Sequence, residues 1–249
     1  MKSRSAAQSE ARGAVESRKG RARAGAQHTR NVVEFDTSGA KPRRTHRRSG
    51  EIIEAAARVF AERGYHGATT QDIADVLRIR QASLYYYFPS KEVALEIVCT
   101  RGVEAFVDTA RTIAASDERA AEKLAKLIKS HISPLLDYGD FVKVFLTQRQ
   151  FLPTESRRRV GKWSRIIERI FETTIREGIR GGEFRADADP RLVTLAILGM
   201  SNAVASWYGK ENAPIERIGQ EFVRLTLEGL SRDKSAKKPA RQRARPKFD

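Results

Sequence analysis

The sequence predicts an all-α protein, and three observations carry that prediction. Between Ser49 and Ser231, apolar residues return at spacings of three and four, the period of one helix face. Capping residues, glycines and prolines punctuate those runs where helices should start and stop. Three of the runs fall within about 40 residues, the last two joined by a tight turn, which outlines an N-terminal three-helix helix-turn-helix domain ahead of a larger helical one.

The elements follow in order. Ile52, Ile53, Ala56, Val59 and Phe60 form the inner stripe of a first helix with Ser49 as its N-cap, and Gly64 ends it as a C′ residue. GATTQDIADVL starts a second helix, with Thr69 or Thr70 as cap and Asp72 in the first turn, where a carboxylate meets the positive end of the helix dipole. Arg78 and Ile79 make the turn, and a third helix runs from about Gln81 to Phe88. Pro89 closes it, and Ser90 caps a long fourth helix. Further helices are expected near 90–115, 118–136, 139–151, 155–181, 189–208 and 214–231, with Asp189-Pro190 pairing a cap with proline at the first helical position.

The third helix carries RQASLYYYF, which holds three of the six tyrosines in the chain. Successive helical residues lie 100° apart, so Leu84 and Phe88 share one side and should bury against Ile73, Ala74 and Leu77. Tyr85 and Tyr86 then point outward. Exposed rings tipped with hydroxyls suit phosphate oxygens; the alternative is a satellite cluster of packed rings. Gln81 and Ser83 are short polar side chains suited to base edges, and Ala82 permits close approach to a major groove. Lys91 stands at the start of the next helix, within reach of the DNA backbone.

Composition closes off other classes. No apolar run approaches the roughly 20 residues of a membrane span, so no membrane partner is expected. Cys99 is the one cysteine, which rules out an intrachain disulfide, gives no zinc spacing, and reads as a small buried residue in a cytoplasmic protein. There is no GxSxG, HExxH or GxxxxGK[ST] pattern. His28, His46, His66 and His131 stand apart from one another. No catalytic residue, no metal site and no cofactor is expected; the protein is not read as an enzyme.

The net charge of +16 is unevenly placed. Residues 1–48 carry 13 Lys+Arg against 4 Asp+Glu, and 232–249 carry 8 against 2, leaving 49–231 nearly neutral at 26 against 25. The expected organisation is a disordered basic arm (1–48), a DNA-binding domain (49–95), a helical domain (96–231) and a disordered basic tail (232–249). The arm and tail either solubilise the chain or attract phosphate without regard to sequence. Arg43, Arg44, Arg47 and Arg48 in KPRRTHRR enter a minor groove or form a plain charged linker.

In the larger domain, DPRLVTLAILGMSNAVASWYG is nearly apolar, with Ala196, Gly199, Ala203 and Ser206 three or four apart. A small-residue stripe permits close helix packing, and a helix apolar on most sides needs cover on two; a second subunit would supply one. Trp207, Phe222 and Leu225 belong to the same candidate dimer face. Phe106, Phe141, Phe145, Trp163, Ile167 and Phe171 are the candidate lining of an apolar pocket, though most of such residues are simply core.

The segment SGEIIEAAARVFAERGYHGATTQDIADVLRIRQASLYYYFPSKEVALEIV resembles the DNA-binding region of TetR-type bacterial transcriptional regulators, through AARVFAERGY, TTxxIA and SLYYYFPSKE together. The resemblance implies a homodimer on a palindromic operator, with the C-terminal domain serving ligand binding and dimerisation. It implies that Gln71, Gln81 and Ser83 face bases and that Thr70, Tyr85, Tyr86 and Lys91 hold phosphates, with Thr69, Arg80, Ala82 and Tyr87 on the same surface. Tyr87 stands where the family often has histidine. Arg78 stands where the family usually has glycine: either arginine adopts the left-handed conformation or the turn relaxes. GMSNAVASWY followed by IGQEFVRLTLEGL resembles a subgroup controlling fatty-acid, steroid or other acyl-thioester catabolism, which implies an apolar or acyl-CoA-type effector, with Arg149, Arg157, Arg158, Arg159 and Lys162 as candidates for CoA phosphate or a solvated face. The competing reading is a non-specific nucleoid-associated DNA-binding protein driven by the basic tails.

Overall fold

In the computed structural model, residues 43–231 are described; the N-terminal segment up to residue 42 and the tail at 232–249 lie outside the described residues. Helix α1 (Arg43–Gly67) begins seven residues earlier than the Ser49 cap predicts. The reason is local: no glycine or proline interrupts RRTHRR, and Arg47 and Arg48 both reach Glu51 one turn on, at 3.4 and 3.0 Å. Ser49 is buried inside the helix instead of capping it. Arg43, Arg44, Arg47 and Arg48 therefore belong to a helix, which corrects the expectation of an unstructured arm up to residue 48. Gly64 stops the regular helix as expected, with φ 69° and ψ 168°, a conformation that only glycine reaches without strain.

Helix α2 (Thr70–Leu77) is capped by Thr69, which settles the choice between the two threonines. Its far end is a Schellman motif: Arg78 N–H reaches Asp75 O at 3.1 Å and Ile79 N–H reaches Ala74 O at 3.0 Å. Arg78 takes the left-handed conformation (φ 52°, ψ 44°), so the turn does not relax. Helix α3 (Gln81–Leu84) is shorter than the predicted 81–88, because Pro89 denies the chain a continuing donor and residues 85–87 close as a turn. Ser90 caps α4 (Lys91–Ala114), its hydroxyl accepting from Val93 N–H at 3.3 Å.

The remaining helices match the predicted segments closely: α5 (Ala120–Ile132), α6 (Gly139–Gln148), α7 (Thr154–Arg180), α8 (Pro190–Trp207) and α9 (Ile215–Leu230), with 3-10 turns at Ser133–Leu135 and Arg149–Phe151. Asp189 caps α8 through both Arg191 N–H and Leu192 N–H, with Pro190 at the first position. The α7–α8 connection folds back so that Glu183 accepts from Ala120 N–H and Ala121 N–H at 3.0 and 3.1 Å, capping α5 from outside. Gly178 admits the ring of Phe184 against α7, where any Cβ would collide with it.

Three apolar cores organise these helices. The first joins Ile52, Val59, Phe60, Ile73, Leu84 and Phe88 to Leu95, Val98 and Cys99 of α4. It does not stop at residue 95, since Phe141, Val144, Leu152 and Val160 also belong to it. The second lies among α4, α5, α7 and α8 around Phe106, Val107, Leu124, Leu127, Ile167 and Phe171. A smaller third one gathers Ile132, Leu135, Val204, Ile215 and Ile218. Fully burying each such side chain stabilises the fold by roughly 1.5–3 kcal/mol before entropy is counted. Helix α4 runs unbroken through the first two cores and so joins the helix-turn-helix to the larger domain.

Candidate nucleic-acid interface

The surface begins at the N-terminus of α2. Thr69 and Asp72 form a capping box: Thr69 Oγ1 accepts from Asp72 N–H at 3.1 Å, and Asp72 Oδ2 accepts from Thr69 N–H at 2.8 Å. The Thr69 hydroxyl also donates to Oδ2 at 2.7 Å, and Arg63 pairs with Oδ1 at 2.6 Å. The Thr69 hydroxyl, then its N–H, and to a smaller extent the Arg63 charge hold the Asp72 carboxyl below the usual range. Thr69 thus serves first as a cap. Next to it, Thr70 Oγ1 accepts from Gln81 Nε2 at 2.6 Å, which ties the start of α3 to the start of α2. Gln71 donates to Asp75 at 2.6 Å along the outer face of α2.

The tyrosine run is placed as the helical geometry demands. Leu84 and Phe88 are buried at 0% and 1% exposure, whereas Tyr85 and Tyr86 are 51% and 81% exposed. Tyr87 is half-buried, packs partly on the first core, and meets Tyr86 edge-on with ring centroids 5.3 Å apart. Arg80, Ala82 and Ser83 are exposed beside them, and Gln81 is half-buried. Lys91 is held in place: its ammonium donates to the carbonyls of Tyr65 and Ala68 at 2.9 and 3.0 Å and lies 4.4 Å from the Tyr65 ring centroid. It is a fixed charge in the wall of a cleft of about 380 Å³ lined by Ala68, Thr69, Thr70, Tyr85, Pro89, Ser90 and Lys91.

Behind this cleft lies a junction that no sequence spacing revealed. Tyr65 N–H, set beyond the break at Gly64, donates to Gln148 Oε1 at 2.8 Å, 83 residues away. The Tyr65 hydroxyl donates to Glu92 at 2.5 Å, and its ring stacks on Phe151 at 5.9 Å. His66 meets Phe151 edge-on at 4.5 Å. Partners this distant leave no periodic trace; the only local sign was glycine at 64.

In the larger domain the six candidate pocket residues divide. Phe106, Ile167 and Phe171 sit in the second core with Trp163 half-buried against it, Phe141 sits in the first, and half-buried Phe145 touches both. Arg149 lies over the Phe145 ring at 4.9 Å and donates to Ser164 at 3.1 Å. The neighbouring cations are engaged: Arg157 with Gln150 O, Arg158 with Glu155, and Arg159 with both oxygens of Glu96 at 2.6 and 2.8 Å. Lys162 is exposed.

The two faces of α8 differ. Thr194, Ile197, Leu198, Ser201 and Val204 are buried, while Leu192, Leu195, Ala196, Gly199, Ala203 and Ser206 are exposed. On α9, Leu225 is 54% exposed, whereas Phe222 and Trp207 are half-buried in the second and third cores. Among the described residues, no helix is long and apolar enough to cross a membrane, and no group of three or more His, Cys, Asp or Glu is placed to hold a metal.

A short recognition element braced on a three-helix core, continuous with a larger helical domain, defines a helix-turn-helix regulator. Residues 52–96 match the family description "Bacterial regulatory proteins, tetR family", and residues 117–230 match "Tetracyclin repressor-like, C-terminal domain". The "HTH-type transcriptional repressor KstR2" of Rhodococcus jostii (strain RHA1) is 30% identical over 209 residues, spanning 79% of this chain and 95% of that protein. The structure of the ketosteroid transcriptional regulator KstR2 of Mycobacterium tuberculosis superposes with a TM-score of 0.70 at 26% identity, covering 75% of this chain and 96% of that one. The transcriptional regulator FadR from Bacillus subtilis, in complex with stearoyl-CoA, gives a TM-score of 0.62 at 25% identity, covering 73% and 98%. The chain belongs to the TetR family of bacterial transcriptional regulators, a family of regulators and not of enzymes.

Proposed function

We propose that the protein is a repressor that binds a palindromic operator as a homodimer in the cytoplasm and releases it on binding an apolar or acyl-CoA-type effector. The observation that carries this reading is the contrast within one turn of chain: Leu84 and Phe88 are sealed in the core while Tyr85 and Tyr86 face outward. In this reading α3 lies in the major groove. Gln81 and Ser83 read base edges, with Gln71 beside them, and Ala82 allows the close approach. Tyr85, Tyr86 and Thr70 hold phosphates, and Arg80 and Tyr87 flank them. The cleft between Thr69, Tyr85 and Lys91 supplies hydroxyls, the N-terminal end of α2 and the ammonium's third N–H to one phosphate. Arg47 and Arg48, helical and paired with Glu51, add positive charge next to the DNA, together with Arg43 and Arg44.

Dimerisation rests on the exposed small-residue face of α8, Ala196, Gly199 and Ala203 with Leu192 and Leu195, and on Leu225 of α9; Trp207 and Phe222 back it from within. Two recognition helices must lie about one DNA turn apart, ~34–36 Å or a multiple. An effector that binds better to a dimer with another spacing lowers operator affinity by that difference in affinity. Likeness to a ketosteroid regulator and to a stearoyl-CoA complex supports an apolar or acyl-CoA-type effector in the core around Phe106, Trp163, Ile167 and Phe171, with Phe141 and Phe145 on its α6 side.

The unequal charge distribution favours one rival, a nucleoid-coating protein held by its basic segments. Selecting bound fragments from genomic DNA under excess random competitor separates the two. A repressor enriches a few palindromic sites and loses them on addition of a long-chain acyl-CoA; a coating protein enriches none.

A further inference from the structure

The second core contains a polar atom that the described chain leaves unanswered. His131, near the end of α5, places Nε2 2.9 Å from Oδ1 of Asn202 on α8. An amide oxygen can only accept, so Nε2 carries the proton and Nδ1 is left with a lone pair. Nδ1 is buried and has no hydrogen-bond partner among the described residues. The imidazole packs against two rings of that core, Phe106 and Phe171, with centroids 4.6 and 6.0 Å from its own and planes nearly perpendicular to it. Burial pushes the imidazole pKa down, against the smaller opposing effect of the Asn202 bond, so the ring stays neutral and keeps its lone pair.

Buried nitrogens without partners are uncommon and destabilising. A leucine would fill the same space without that penalty. Ser201, on the buried face of α8 and adjacent in sequence to Asn202, carries a second buried side-chain oxygen without a partner. Two such atoms therefore lie on the pair of helices, α5 and α8, that the His131–Asn202 bond joins.

We propose that His131 Nδ1 is the polar anchor of the effector site, accepting a hydrogen bond from a hydroxyl or amide N–H of an otherwise apolar ligand. The inference deepens the proposed function and rests on its reading of the second core as the effector's place. Two parts of an acyl-CoA supply such a donor: a hydroxyl on the acyl chain, or an amide N–H of the pantetheine arm. A donor on Nδ1 also strengthens the Nε2–H bond to Asn202 by polarisation, which carries occupancy to the exposed face of α8.

The test uses the full chain, palmitoyl-CoA, 3-hydroxypalmitoyl-CoA and free 3-hydroxypalmitate as probes, and the variants His131→Phe and His131→Asn. His131→Phe keeps a planar ring and loses both the Nδ1 acceptor and the Nε2–H bond to Asn202; His131→Asn restores only an acceptor near the Nδ1 position, so rescue by it isolates the Nδ1 role. Calorimetry should show His131→Phe weakening the probe that supplies the donor by about tenfold, with apo stability and effector-free operator binding retained and with partial rescue by His131→Asn. Loss confined to the hydroxylated probes assigns the donor to the acyl chain; equal loss for both thioesters assigns it to the pantetheine arm. Equal affinity of wild type and His131→Phe for every probe overturns the inference. Binding of no probe to the wild type refutes the acyl reading instead, and 15N spectra of the apo protein then decide His131 by themselves. A bare, unprotonated Nδ1 upholds the anchor; an Nδ1 already protonated or hydrogen-bonded overturns it.

Discussion

Tyr65 N–H and Gln148 Oε1 meet at 2.8 Å, joining the broken end of α1 to the last residue of α6. The donor exists because Gly64 leaves the helical conformation just before it. Lys91 fixes the Tyr65 carbonyl, so one residue is held from the larger domain on one side and from the wall of the cleft on the other. Gln148→Leu removes the acceptor and leaves a partly buried N–H unpaired, which costs about 1–3 kcal/mol. Urea denaturation should report that loss. Operator binding without effector should change by less than about threefold, while the drop caused by effector shrinks. An undiminished effector response in Gln148→Leu would show that this bond does not carry the signal.

The Tyr65–Glu92 pair makes stability depend on pH in two windows. Burial, then the hydrogen bond to Glu92, pushes the Tyr65 phenol from 10.0 to about 12. A raised folded value stabilises fully below the unfolded one and is lost as pH climbs from 10.0 to about 12. The Tyr65 hydroxyl, first among several donors, holds the Glu92 carboxyl below its ordinary 4.5. A depressed folded value stabilises above 4.5 and is lost as pH falls below it. Thermal melts of wild type and Tyr65→Phe should therefore converge toward pH 12 and at acid pH, and differ most between; a constant gap would contradict the coupling.

Arg78 holds a left-handed turn that glycine would hold without strain. The conformation costs a non-glycine residue about 1–2 kcal/mol, offset by the roughly 0.4–1 kcal/mol that glycine loses through a freer unfolded chain. Arg78→Gly should raise stability by about 0.5–1 kcal/mol, the remainder of those two terms. Its side chain is exposed next to Arg80. If Arg78 meets a phosphate, the same variant weakens operator binding and flattens the log-affinity against log-salt slope by about one unit. Opposite signs in the melt and the titration would show a strained residue kept for binding.

How much of this was legible follows from the range of each interaction. The starts of α2, α4 and α8 were readable because Thr69, Ser90 and Asp189 act within three residues of themselves. The outward turn of Tyr85 and Tyr86 was readable because Leu84 and Phe88 fix the phase of one helical turn. The bonds that fix Lys91 were not readable, since the carbonyls that hold it belong to a turn 23 and 26 residues earlier. The early start of α1 was missed because a basic run was read as the end of a disordered arm, although Glu51 lies one turn from Arg47. Gln148 gave no signal, since a single polar residue on α6 says nothing of a donor beyond Gly64.

On the proposed reading, Tyr85 holds phosphate and Gln81 reads bases. Tyr85 is 51% exposed, so Tyr85→Phe should change stability by no more than about 0.5 kcal/mol. It should weaken binding about equally on operator and random DNA. Gln81 is tied to Thr70 through Nε2, which aims its remaining amide atoms. Gln81→Ala should relax preference at particular operator positions by about 1–3 kcal/mol. Binding to a randomised operator pool checks both; identical sequence profiles for wild type and Gln81→Ala would refute the base-reading role.

Gly199 offers the sharpest test of the dimer face. A Cβ built there meets nothing within 4 Å, so a larger residue fits the protomer without strain. Replacing a mid-helix glycine also favours the helix by roughly 0.5–1 kcal/mol. Gly199→Leu should therefore melt no lower than wild type as an isolated protomer. Between two subunits the same side chain blocks the close approach that Ala196, Gly199 and Ala203 allow. Sedimentation equilibrium should show the variant dissociating at concentrations where wild type is dimeric. Operator affinity should fall by more than about tenfold, because each half-site must then be bound without its partner. A Gly199→Leu protein that stays dimeric and binds the operator normally would move the interface off this face of α8.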